Sequence, residues 1–155
     1  MSLKTLNLDP YYNSDNKSLI KSFYIPVLSE SILYKRSGAY FSSNSLAIAS
    51  LGFANFIQNG GKIQLIANVE LSEDDYNSIK YALDEKIQNR IDNEFLKSLE
   101  QIQEKILEDH VKMLGWLVKN GRLEIKIAIT KKGIFHPKIA IFEDSEGNKI
   151  SLTVR

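Results

Sequence analysis

Cysteine is absent from this chain of 155 residues, which excludes disulfides and thiolate metal sites. That absence fits a reducing compartment. No apolar run approaches the roughly 18 residues of a membrane-spanning helix, and residues 1–13 lack the apolar centre of a secretory signal. The cytoplasm is therefore the expected location, and no membrane partner is expected. Proline occurs three times and glycine eight, so each marks a boundary worth reading. Histidine occurs only twice, as His110 and His136, which limits the side chains that titrate near neutral pH. No His/Asp/Glu cluster has the spacing of a metal-ligand set, and no metal site is expected.

What is present is an ordinary globular composition, and the length suits one domain over residues 1–155. The net charge of +1 hides an uneven distribution. Residues 1–69 carry 6 Lys/Arg and 3 Asp/Glu, net +3. Residues 70–110 carry 5 and 12, net −7, and residues 111–155 carry 9 and 4, net +5. A basic flank can face a polyanion, and an acidic middle can equally be a solvated helix surface.

Residues 1–17 are polar, contain Pro10, and read as an irregular lead-in. Leu19, Ile20 and Phe23 follow at helical spacing, and Pro26 is expected to interrupt and hold Ile25 extended. Residues 32–42 (ILYKRSGAYFS) read as a strand. Residues 42–61 read as one helix, capped by Ser42, Ser43 or Asn44 and ended by Gly60 and Gly61. Residues 62–69 read as a second strand, parallel to the first as in a β-α-β unit. From the expected N-cap Ser72 to Asn120 the apolar residues recur in steps of three and four, which predicts two helices breaking between Leu83 and Asn93. His110 lies on the inner stripe of this region, as a packed or half-exposed helix residue. "EDD" at 73–75 sits at a helix start, where acids favour the dipole. Leu123, Ile125, Ile127 and Ile129 alternate with polar residues as a strand, and residues 134–142 and 149–154 read as two more. The expected fold class is α/β, a mixed sheet flanked by helices.

One stretch stands out. "FHPKIAIFED" sets His136 and Lys138 two residues apart in an apolar run. On a strand, residues i and i+2 share a face. An imidazole and an ammonium side by side suit phosphoryl transfer: the ring attacks phosphorus and the lysine neutralises the non-bridging oxygens. A histidine near a strand end can equally serve as a local hydrogen-bonding group. Ser42 and Ser43 would fall at the carboxyl edge of the sheet, where open α/β sheets bind ligands.

The stretch resembles the HKD motif of the phospholipase D superfamily. It is most similar to the phospholipase D-like domain linked to bacterial DEAD/DEAH-type helicases and restriction-type nucleases. The front half resembles that family too, with Gly-x-Tyr-Phe-Ser ending a strand, Asn-Gly-Gly ending a helix, and a strand leading into an acidic helix start. The likeness covers most of the chain from about Phe23. It implies a phospholipase D-like lobe that hydrolyses DNA phosphodiesters without a metal or other cofactor. His136 would be the nucleophile, Lys138 the phosphate ligand, and Asp144 (Glu143 under strict superfamily spacing) an orienting or hydrogen-bonding acid. Apart from the resemblance, their place at the sheet's carboxyl edge would let Ser42 and Ser43 contribute to substrate binding. One motif supplies one histidine where the superfamily uses two, so the resemblance implies a homodimer. A helicase domain in the same or a partner chain, and a restriction or defence role, are implied as well. The family continues with Gly-Ser-x-Asn, whereas this chain reads SLTVR to residue 155; an incomplete or inactive lobe is therefore also expected. The alternative is a non-catalytic nucleic-acid-binding or dimerisation module. Lipid hydrolysis is disfavoured by the lack of an interfacial amphipathic helix.

Overall fold

A computed structural model describes residues 2–13, 19–38, 42–67, 72–86, 98–128, 131 and 135–153. Five strands form one mixed sheet: β1 (Leu33–Gly38), β2 (Lys62–Ala67), β3 (Leu123–Ile127), β4 (Ile139–Glu143) and β5 (Lys149–Thr153), in the spatial order β3-β2-β1-β4-β5. β2 runs parallel to both β1 and β3, whereas β4 is antiparallel to β1 and β5 is antiparallel to β4. The expected α/β class and mixed sheet are what is observed, as is the parallel β1–β2 pair.

Alternation along the strands decides which face is covered. Tyr34, Ile63, Leu65, Ala67, Ala140 and Phe142 are buried, and Lys35, Gln64 and Ile66 between them are exposed. The covered face packs against α1 (Ile25–Glu30), α3 (Ser50–Gln58) and α6 (His110–Lys119) through Leu28, Phe56, Ile57, Leu114 and Leu117. Phe142 stacks on Tyr34 with ring centroids 4.7 Å apart. The opposite face holds an open hollow of about 330 Å³ bounded by residues such as Lys35, Gln64, Lys126 and Ile141. Parallel strands are usually covered on both faces, so this bare face departs from the norm among the described residues.

Several helix boundaries differ from the sequence expectation. Pro26 does not interrupt a helix; it occupies the first turn of α1, where its missing N–H is not needed. Ile25 is helical (φ −62°, ψ −55°), and its N–H reaches back to the Ile20 carbonyl, closing a π-helical turn over Ile20–Tyr24. The helix expected over residues 42–61 is two, α2 (Asn44–Ile48) and α3, with Ala49 between them off the helical region at φ −112°, ψ 36°. Gly60 ends α3 at φ +81°, a left-handed conformation that glycine adopts without a Cβ clash.

Three helices, not two, are described over residues 72–120: α4 (Glu73–Lys86), α5 (Leu99–Glu108) and α6. Ser72 caps α4 as expected, its hydroxyl accepting from the Asp75 N–H at 3.1 Å. The break between α5 and α6 falls at Asp109, which is non-helical (φ −153°, ψ 84°) and accepts from the Lys112 N–H at 2.9 Å. The break expected between Leu83 and Asn93 lies largely outside the described residues, because α4 continues to Lys86. The N-terminus is also more ordered than a lead-in: Leu3–Thr5 form a 3-10 turn, and Ser2 and Leu3 are buried. Among the described residues, no helix is long and apolar enough to cross a membrane.

Candidate functional site

Strand direction brings distant segments to one edge of the sheet. β1 and β2 end at this edge, and β4, being antiparallel to β1, begins there; Ser37 pairs with Ile139. Ser42 and Ser43 follow β1, α4 follows β2, and His136 and Lys138 immediately precede β4. All of these residues therefore leave the sheet at its carboxyl edge, the end at which open α/β sheets take ligands.

The strand expected over residues 134–142 is shorter than its apolar run. β4 begins at Ile139, so His136, Pro137 and Lys138 form an approach segment outside the ladder. Pro137 has no N–H to donate to a ladder. His136 and Lys138 are both exposed, and among the described residues neither forms a hydrogen bond or an ion pair. Their placement on a common strand face therefore does not follow from β4 itself.

Asp144 is not with them. β4 separates it from Lys138, and it sits at the opposite edge, where Glu143 pairs with Leu33. It is 1% exposed. It accepts from the Leu3 N–H at 2.9 Å, the Ser2 hydroxyl at 3.0 Å, the Asn148 side-chain amide at 2.8 Å and the Glu146 and Asn148 N–H groups at 2.9 Å each. Burial works against its charge, but the donors from Asn148, Leu3 and Ser2 outweigh it and hold the carboxyl far below the usual carboxylate range. Asp144 thus orders the β4–β5 turn and fastens the N-terminus to it. The neighbouring Glu143 lies 3.5 Å from the Lys149 ammonium in a surface ion pair.

The two serines differ. Ser42 is exposed, its hydroxyl accepting from the Asn44 N–H at 3.2 Å. Ser43 is 2% exposed and fully engaged: its N–H donates to Asp75 Oδ2 at 3.0 Å and its Oγ lies 2.7 Å from His110 Nδ1. A hydroxyl can donate or accept, so the contact is satisfied in either histidine tautomer. Asp75, read from the sequence as one of three acids at a helix start, is 2% exposed, and its Oδ1 has no hydrogen-bond partner among the described residues. The Ser43–Asp75–His110 cluster was missed in the sequence because 32 and 67 positions separate Ser43 from its partners. The available signal was weak: a serine after a strand, an acid three residues past a helix cap, and one of only two histidines. The cluster ties the entry to α2 to the starts of α4 and α6. Among the described residues, no group of three His, Asp or Glu side chains is arranged to hold a metal ion.

No family model, no curated protein and no solved structure matches this chain.

Proposed function

We propose that the chain is a phospholipase D-like phosphodiesterase domain acting on DNA, of the kind joined to helicase or restriction proteins in defence systems. The observation that carries the reading is the exposed His136–Lys138 pair where β4 begins, at the carboxyl edge of β1 and β2. An accessible imidazole two residues from an accessible ammonium suits attack on a charged diester. A ring nitrogen of His136 attacks phosphorus and forms a P–N bond. The P–O bond to the leaving nucleoside breaks, and a second histidine donates the proton to the departing oxygen. Water then attacks the phosphohistidine, giving up its proton to that second histidine, and the P–N bond breaks. Lys138 offsets the charge on the non-bridging oxygens throughout. The second histidine comes from another copy of the chain, so activity depends on dimerisation.

The test is cleavage of labelled single- and double-stranded DNA in EDTA by wild type and His136→Ala. The reading expects a loss on the order of 10³-fold or more for the variant. Equal cleavage by the two proteins overturns it.

A second reading has its own observation. His136 and Lys138 are not held by another described residue, whereas efficient catalytic groups are oriented by neighbours. The domain would then bind nucleic acid or dimerise without cutting. Salt-dependent DNA binding by a dimer that never cleaves its substrate selects this reading.

A further inference from the structure

A second cavity of about 200 Å³ opens on the helix-covered side of β1. Tyr34 and Arg36 reach it from β1, Tyr24 from the π-helical turn, Ser45 and Ile48 from α2, and Phe53 from α3. At roughly 30 Å³ per liquid water, the space matches a single heterocyclic ring with a small polar group.

Arg36 is the anomaly in this cavity. It belongs to the row of β1 that contains Tyr34 and Gly38, and both of these are buried. Its cross-strand partners Leu65 and Ala140 are buried and apolar. Arg36 is itself half-buried, and a guanidinium partly withdrawn from water favours an anion or strong acceptors. Among the described residues, no carboxylate forms an ion pair with it. Two phenols are among its polar neighbours. Burial pushes the Tyr34 hydroxyl up to about 12, against the charge and hydrogen bond of Arg36. Burial raises the Tyr24 hydroxyl as well, again with Arg36 opposing. Both phenols therefore stay neutral at physiological pH, so among the described residues no anionic group faces the arginine charge.

Two more observations point the same way. The π-helical turn that supplies Tyr24 is a rare conformation found disproportionately at functional sites. Arg36 also pairs directly with Ala140, two residues after Lys138 in the chain, so the strand that supplies Arg36 to the cavity is the neighbour of β4.

We infer that this cavity binds one nucleotide of a DNA strand, with Arg36 taking a backbone phosphate and Tyr24 and Ile48 flanking the base. Arginine suits this role because its fork matches phosphate oxygens bidentately, and bases stack on aromatic side chains without sequence preference. As a substrate subsite the cavity rests on the phosphodiesterase reading of His136; as a nucleotide site it does not.

The experiment is an NMR titration of the full chain carrying His136→Ala, so that turnover does not interfere. The probes are deoxythymidine monophosphate, deoxythymidine and inorganic phosphate. The monophosphate is expected to bind about tenfold or more tightly than either fragment, and Arg36→Met to weaken it by about tenfold. Ile48 is 55% exposed at the rim, so Ile48→Trp fills the cavity without touching the core and is expected to abolish binding. If Arg36→Met does not fold, Ile48→Trp decides alone. Monophosphate binding unchanged in a folded Ile48→Trp variant overturns the inference, as does inorganic phosphate binding as tightly as the monophosphate. Cleavage through His136 with an unaltered KM in Ile48→Trp sinks the subsite and leaves the nuclease. Monophosphate binding that Ile48→Trp abolishes, in a chain that never cuts, keeps the nucleotide site and removes the nuclease.

Discussion

Ser43 Oγ and His110 Nδ1 lie 2.7 Å apart, joining the loop before α2 to the first residue of α6. Beside them, Asp75 receives the Ser43 N–H on one carboxylate oxygen, and the other is buried with no partner among the described residues. Polar groups buried at a junction of three helices hold it only while each has its partner.

Removing one side of that contact strands the other. Ser43→Ala leaves His110 Nδ1 facing a methyl group, and His110→Ala leaves a buried hydroxyl. Each is expected to lower unfolding free energy by about 1–3 kcal/mol. The double variant should lose less than the sum, with a coupling of about 0.5–1.5 kcal/mol in urea denaturation. Strict additivity would show that the pair does not interact in solution.

Acid should release the N-terminus. The folded-state pKa of Asp144 lies below its ordinary value of 3.8, so its ionised form stabilises the fold. That stabilisation is complete above the unfolded value and is lost as pH falls below it towards the folded one. Asp144→Asn is expected to lower Tm at pH 7, with the gap to wild type narrowing as pH drops below 3.8. A gap that stays constant from pH 7 to pH 2 would contradict this account.

A close helix approach sets another limit. A methyl group at Gly52 of α3 would come within 2.9 Å of Ile25 Cα and 3.1 Å of the Ile25 carbonyl oxygen. Backbone atoms yield little, so Gly52→Ala should force α1 and α3 apart and cost about 1–3 kcal/mol by overpacking. Calorimetry measures the change directly, and an unchanged or raised Tm would show that α1 relaxes freely.

Exposure makes His136 a clean probe. His136→Ala and Lys138→Met remove exposed side chains that form no hydrogen bond or ion pair with other described residues. Stability is expected to stay within about 0.5 kcal/mol of wild type. Any loss of cleavage or DNA binding in these variants then reports on chemistry and not on folding. A fall in Tm well beyond that range would reveal a structural role.

Periodicity alone was enough for much of the fold. Apolar alternation in "KIQLIA" and the helical stripe from Ile102 to Leu117 follow from which face each residue must bury, a property of local spacing. Ser72 and Gly60 announced their boundaries because capping and left-handed backbone act within a few residues. Local rules misjudged Pro26, which suits a first helical turn as well as it breaks a later one, and they missed Asp109, whose capping role shows in its non-helical backbone and its bond to the Lys112 N–H. The length of the apolar run around His136 overstated β4, because a ladder needs a partner strand as well as a pattern.

Chemistry-bearing residues could be named from the sequence, but their company could not. His136 and Lys138 stood out through two residues of spacing. Tertiary structure alone decided that Asp144 fastens the N-terminus at the far edge, that Ser43 is spent on His110 and Asp75, and that Arg36 lies on the covered face beside two phenols. The physical reason is range. Propensity and amphipathic period are written into neighbours along the chain, whereas burial of a charge and the pairing of a buried hydroxyl depend on segments that strand order and direction bring together from dozens of residues away.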